Sequence, residues 1–120
     1  MSEYKSKFEQ SFADHLEDIG IEVHYEEERF PFVVPVKNRM YTPDFKIGPS
    51  TYVETKGMLS KDDREKLLLV KAQHPNIRII LVFQNWNNKI TKGSKTTYKK
   101  WCEDNGLECY NKYLPDNFTL

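Results

Sequence analysis

No apolar run in the chain approaches the roughly 18 residues that a membrane-spanning helix needs, and no signal-peptide pattern opens it. Both absences predict a soluble, cytoplasmic protein. Cysteine is scarce, with only Cys102 and Cys109. Without a secretory leader, two cysteines fit a reducing compartment, and both read as packed thiols. Their spacing to His15, His24 and His74 matches no usual zinc pattern. Internal repeats and low-complexity segments are absent. Net charge is missing too: 18 basic and 18 acidic side chains sum to zero, which argues against a simple cationic nucleic-acid binder. What is present is the composition of a globular protein, 38% hydrophobic and 30% charged over 120 residues, enough for one domain with a core of its own.

The charge absent from the total reappears in its distribution. Residues 1–28 hold nine acids against Lys5 and Lys7, a net of −7, so residues 29–120 carry +7. From Gln84 to Cys102 there is no acid and there are five lysines: Lys89, Lys92, Lys95, Lys99 and Lys100. Such asymmetry marks a nucleic-acid surface in some proteins and an ordinary solvated face in others.

Phe8, Phe12, Leu16 and Ile19 recur at helical spacing over 4–19, and Gly20 follows as a cap. Ile21, Val23 and Tyr25 alternate with Glu22, His24 and Glu26, the period of a half-buried strand. In "RFPFVVPVKNRMY", Pro31 and Pro35 lack the ladder donor, which predicts an edge strand or an extended connector between lobes or subunits. Strands are expected at 41–47 and 51–56. Ser60 then opens a helix, with Asp63 as its capping-box partner, that ends near His74-Pro75. "IRIILVF", 77–83, reads as a buried central strand, and 96–105 as a helix closed by Gly106. The order αβββαβα predicts an α/β fold, a mixed sheet with helices on its faces.

Within the strand pair "YTPDFKIGPSTYVETKG", Asp44, Glu54 and Lys56 interrupt the apolar runs. Glu54 and Lys56 share one face of their strand, and a turn at Gly48-Pro49-Ser50 can set Asp44 beside them. Two carboxylates that close repel each other, and burying either alone costs several kcal/mol. One resolution is an internal salt bridge of Lys56 with Glu54 or Asp44. The other is a hard divalent cation, Mg²⁺ or Mn²⁺, with Lys56 beside it to orient water or to stabilise charge on a phosphate.

"PDFKIGPSTYVETKG" resembles the P-D…E-x-K signature of the PD-(D/E)xK nuclease superfamily. A longer resemblance joins "SKFEQSFADHLEDIGIEVHYEEERFPFVVPVKNRMYTPDF", "VETKG", "DDREKLLLVKAQHP" and "KGSKTTYKKWCEDNG". Together they resemble the junction-resolving bacteriophage endonuclease I family over nearly the whole chain. The resemblance implies a restriction-endonuclease-like core in a single nuclease domain, residues 1–120. It implies catalytic residues Glu9, Asp44, Glu54 and Lys56, and two Mg²⁺ ions per site, with Mn²⁺ a substitute. Asp44, Glu54 and the Thr55 carbonyl would hold one ion, and Glu9 a second from the partner chain. It further implies an intertwined homodimer joined by a bridge near 34–39, acting on branched double-stranded DNA, four-way junctions above all, by paired nicks. The family has an acid where this chain has His24. Its basic terminal extensions are not matched, so DNA contact is expected to rest on Lys37, Arg39, Lys46, Lys89, Lys92, Lys95, Lys99 and Lys100. No helix-turn-helix, zinc finger or aromatic single-strand platform is apparent, so recognition should rest on DNA shape. Three other readings compete: a sequence-specific or mismatch nuclease of the same superfamily, a junction-binding architectural protein that does not cut, and a protein-interaction module.

Overall fold

Helix α1, Lys7–Asp18, starts where Ser6 accepts a hydrogen bond from the Glu9 amide at 3.0 Å, and it buries Glu9, Phe12, Ala13 and Leu16. It stops at Gly20, whose φ of +79° lets the Ile21 amide turn back to the Leu16 carbonyl at 2.9 Å. The computed structural model of the chain describes residues 3–34 and 37–120, with Val34 and Lys37 described by backbone alone.

Among the described residues seven strands follow: β1 His24–Tyr25, β2 Phe30–Val34, β3 Lys37–Tyr41, β4 Phe45–Lys46, β5 Thr51–Lys56, β6 Arg78–Phe83 and β7 Glu108–Asn111. Helix α2, Lys61–Gln73, lies between β5 and β6, and α3, Tyr98–Asp104, between β6 and β7. The main sheet has the order β1-β4-β5-β6-β7, antiparallel through β5 and parallel from β5 to β7. This is the expected mixed α/β sheet flanked by helices.

Alternation along β6 splits the core between the two faces. Ile79, Leu81 and Phe83 pack with Leu67 and Val70 of α2 and Cys102 of α3. Ile80 and Val82 pack with Phe12 and Leu16 of α1 and with Phe45 and Val53. Each face is sealed by a helix, so β6 is buried on both sides and its sequence reads as a continuous apolar run. The capping box of α2 forms as its sequence predicts, Ser60 with Asp63 in both directions.

Four elements differ from the sequence reading. The strand expected from Ile21 shrinks to His24–Tyr25, and the one over 41–47 to Phe45–Lys46. Strand β7 is additional: all four of its residues are half-buried at a sheet edge, so no apolar alternation announces it. The proline-bearing segment forms an antiparallel ladder, Phe30↔Tyr41 to Val34↔Lys37, separate from the main sheet. Its outer edge is tied to α2: Gln73 accepts from the Val33 amide at 2.6 Å and donates to the Val33 carbonyl at 2.9 Å. Pro35 and Val36, at the centre of the expected bridge, lie outside the described residues.

Candidate active site

Strand pairing decides which of the chain's charges meet. Phe45 pairs with Val53, so one further step along that register sets Asp44 opposite Glu54. The first turn of α1 delivers Glu9, and the residue after β1 delivers Glu26. One carboxylate oxygen from each of Glu9, Glu26 and Asp44 lies within 4.8 Å of the others. Glu54 stands on the other side of Asp44. A cavity of about 340 Å³ opens over them, lined by Lys5, Ser6, Phe8, Glu9, Asp44, Glu54, Thr55, Gly57 and Gln84.

Each of the three acids named by the sequence has one oxygen held by an uncharged donor. Asp44 Oδ2 accepts from the Thr55 amide at 2.9 Å and from its hydroxyl at 2.8 Å. Glu9 Oε1 accepts from the Lys5 amide at 2.9 Å and from the Tyr25 hydroxyl at 3.0 Å. Glu54 Oε2 accepts from the Tyr41 hydroxyl at 2.7 Å. The carboxyl groups also act on one another by charge, Asp44 on Glu9 and Glu54 on Asp44.

Burial raises all three proton affinities, and a neighbouring carboxylate adds to it at Asp44 and Glu9. Burial lifts Glu54, opposed by Tyr41 and by the charges of Lys56 and Lys66. Burial and then the Glu54 charge push Asp44 up to about 6. Burial and then Asp44 raise Glu9. Such a set relaxes by taking up a proton or a cation. An all-oxygen donor set of this density fits a hard divalent ion such as Mg²⁺ or Mn²⁺.

Lys56 is largely buried, and its ammonium lies 3.2 Å from Asp63 in the first turn of α2. The alternative of an internal salt bridge to Glu54 or Asp44 does not form, since the acid paired with Lys56 is carried by the next helix. His24 takes no place in the cluster: its ring contacts Glu27 at 2.7 Å and Glu22 at 3.6 Å. Glu26, two residues on, reaches the cluster instead, with φ of +50° and its amide on the Asp44 carbonyl at 2.9 Å. The sequence reading missed Glu26 because three consecutive glutamates at 26–28 give no sign of which one turns inward. It also missed the hydroxyls of Tyr25, Tyr41 and Thr55, and Lys5, whose ammonium pairs with Glu26 at 3.0 Å.

The basic residues expected at DNA are unequal. Lys89, Lys92, Lys95 and Lys99 are exposed, Lys99 lying 4.5 Å over the Trp86 ring. Lys100 and Lys46 are already paired, with Asp104 at 2.9 Å and Glu28 at 2.8 Å. Arg39 is exposed beside Asp62, Asp63 and Glu65 of α2, while the Lys37 side chain lies outside the described residues. Both cysteines are free thiols, as expected, packed between α3 and β7.

Asp44, just before β4, and Glu54 and Lys56 at the end of β5 are thus brought to one end of the mixed sheet. A family profile described as phage endonuclease I matches residues 1–119. The chain is 41% identical over 112 residues to the protein named Endonuclease I of Escherichia phage T7, covering 93% of this chain and 75% of that one. It is 41% identical over the same length to Endodeoxyribonuclease 1 of Enterobacteria phage T3, of which 74% is covered. The chain belongs to the phage endonuclease I family.

Proposed function

We propose that this protein is a Mg²⁺-dependent, structure-selective endodeoxyribonuclease that resolves four-way and other branched DNA by paired phosphodiester nicks. The observation that carries the reading is Asp44, which lines an open cavity with Glu9 and Glu54 and forms no ion pair with a lysine or arginine among the described residues. Asp44, Glu54 and the Thr55 carbonyl would hold one cation, and Glu9 a second, with Mn²⁺ a substitute. When bound, the cations supply an activated water and charge stabilisation on the leaving 3′-oxygen.

The residues of the chain do the rest. Thr55 fixes Asp44 through two donors, so its free oxygen has one direction. Asp63 anchors the Lys56 ammonium, whose charge acts on Glu54 and would oppose negative charge growing on the phosphate. Lys89, Lys92, Lys95 and Lys99 would bind phosphates most directly. Lys46 and Lys100 must exchange Glu28 and Asp104 for phosphate, so each contributes less, and Lys37 and Arg39 lie on β3 of the ladder. Recognition would rest on DNA shape, since two sites in one dimer suit the two strands of a branch point better than a base sequence.

The β2–β3 ladder supports an exchanged homodimer. Its pairs run Phe30↔Tyr41, Pro31↔Met40, Phe32↔Arg39, Val33↔Asn38 and Val34↔Lys37, a register symmetric about residues 35 and 36. A two-residue hairpin connection favours positive φ at its centre, supplied by Gly, Asn or Asp. Here the two residues are proline, with φ fixed near −65°, and β-branched valine. If 30–41 runs straight, the same pairs form between two copies of the chain. Glu9 lies before this segment and Asp44, Glu54 and Lys56 after it, so the contact seen within one chain becomes a contact between subunits. Such a dimer, working in a bacterial cytoplasm, presents two sites to two strands.

Glu9→Ala and Asp44→Ala chains, each inactive alone, test both halves of the reading when co-expressed. An exchanged heterodimer has one site with both acids intact, so Mg²⁺-dependent nicking of a labelled four-way junction should return. Nicking of linear duplex of the same sequence should stay low. No recovery would sink the exchanged dimer, and metal-independent or linear-duplex cutting would sink the assigned activity.

A further inference from the structure

We propose that Tyr25 and Tyr41 are positioning residues of the cation site, each aiming one carboxylate by occupying one of its two oxygens. The inference rests on the reading that these acids hold Mg²⁺.

A carboxylate offers two equivalent oxygens and turns freely about its last bond. A site that binds a small, strongly hydrated ion in octahedral geometry needs each free oxygen in one place. Tyr41 closes β3 and is 2% exposed, and its hydroxyl donates to Glu54 Oε2 at 2.7 Å. The Lys66 ammonium lies 5.7 Å over its ring. Tyr25 is wedged edge-on against Tyr4, with centroids 4.6 Å apart, and against Phe45 at 5.4 Å. Its hydroxyl accepts from the Lys5 amide at 3.2 Å while donating to Glu9 Oε1 at 3.0 Å. Neither ring can swing its hydroxyl away without breaking core packing.

The choice of donor matters. A lysine or arginine here would fix the same oxygen but cancel the charge the cation needs. A phenol orients the acid and leaves its charge in place. Burial pushes both tyrosines well above their ordinary range, so each stays a neutral donor throughout neutral pH. The two hydroxyls repeat for Glu9 and Glu54 what Thr55 does for Asp44. Each tyrosine also lies on the same side of residues 35 and 36 as its acid, so the pairs survive exchange between subunits.

Tyr52 serves as the control: it is 4% exposed on the same strand as Glu54, but packs its ring on Phe30 at 4.8 Å, in the field of Glu28 and Lys46. The experiment is calorimetric titration of Mn²⁺ into the full chain without DNA, for the wild type and for Tyr25→Phe, Tyr41→Phe and Tyr52→Phe. Thermal denaturation of each variant reports folding separately. Outer-shell partners of metal ligands typically contribute about 10- to 100-fold in affinity. We expect at least a tenfold weaker Mn²⁺ affinity in Tyr25→Phe and Tyr41→Phe, and no weakening in Tyr52→Phe. The Mg²⁺ concentration for half-maximal junction nicking should rise in parallel. Should Tyr41→Phe fail to fold, Tyr25→Phe, at a more open position, carries the test. Unchanged affinity in a folded tyrosine variant overturns the proposal alone. A wild type that takes up no Mn²⁺ overturns it together with the metal reading beneath it.

Discussion

Replacing Asp44 by asparagine removes one negative charge from between Glu9 and Glu54 while keeping an oxygen that accepts from the Thr55 amide and hydroxyl. Asp44 rises from an ordinary 3.8 to about 6, chiefly through burial and then through the Glu54 charge. Because the folded value is the higher one, its contribution to stability is fully present below pH about 4 and is lost as the pH rises through about 6. At pH 7.5 without a cation, holding Asp44 ionised costs about 3 kcal/mol, from 1.36 kcal/mol for each factor of ten in proton affinity. Asparagine avoids this cost. In urea denaturation at pH 7.5 with chelator and equal chain concentration, Asp44→Asn should be more stable than the wild type by about 1–3 kcal/mol. The advantage should vanish at pH 4. Added Mg²⁺ should stabilise the wild type and leave the variant nearly unmoved, and the variant should not nick junctions. A variant that is no more stable at pH 7.5, or that gains equally at pH 4, would refute the argument that crowded carboxylates destabilise the empty site.

Ser60→Ala removes the cap that starts α2, and should lower stability by about 1 kcal/mol, a few degrees in thermal denaturation, because the capping box no longer satisfies both of its amides. Changing Lys92 and Lys95 together to alanine should reduce the slope of log affinity against log salt by up to about 0.9 for each phosphate left without its lysine, read by junction binding across a salt series. An unchanged slope would return the lysine tract to an ordinary solvated face. Changing Pro35→Asn with Val36→Gly supplies the residues a two-residue hairpin favours, and should shift the chain towards monomer in sedimentation velocity. An equally dimeric variant would remove the connection as the cause of exchange.

The sequence by itself determined the local elements and one part of the site. Ser60, Asp63 and Gly20 announce helix ends because capping is satisfied within a few residues. The run at 78–83 declares a strand buried on both faces, and the turn after Ile47 sets Asp44 against Glu54 by strand register alone. Resemblance, not periodicity, pointed to Glu9, since the helical stripe would leave a glutamate beside Phe8 in solvent. Tertiary structure decided everything that joins distant segments. It buried Glu9 at 6% exposure against Tyr25, gave Glu54 the hydroxyl of Tyr41, and handed Lys56 to Asp63. It also placed Glu26 and not His24 at the cluster, and added β7 at the sheet edge. None of these contacts has a period or a fixed spacing in the chain. They exist because packing both faces of β6 brings α1, β1, β3 and α2 around the end of β5, and only there do the side chains find their partners.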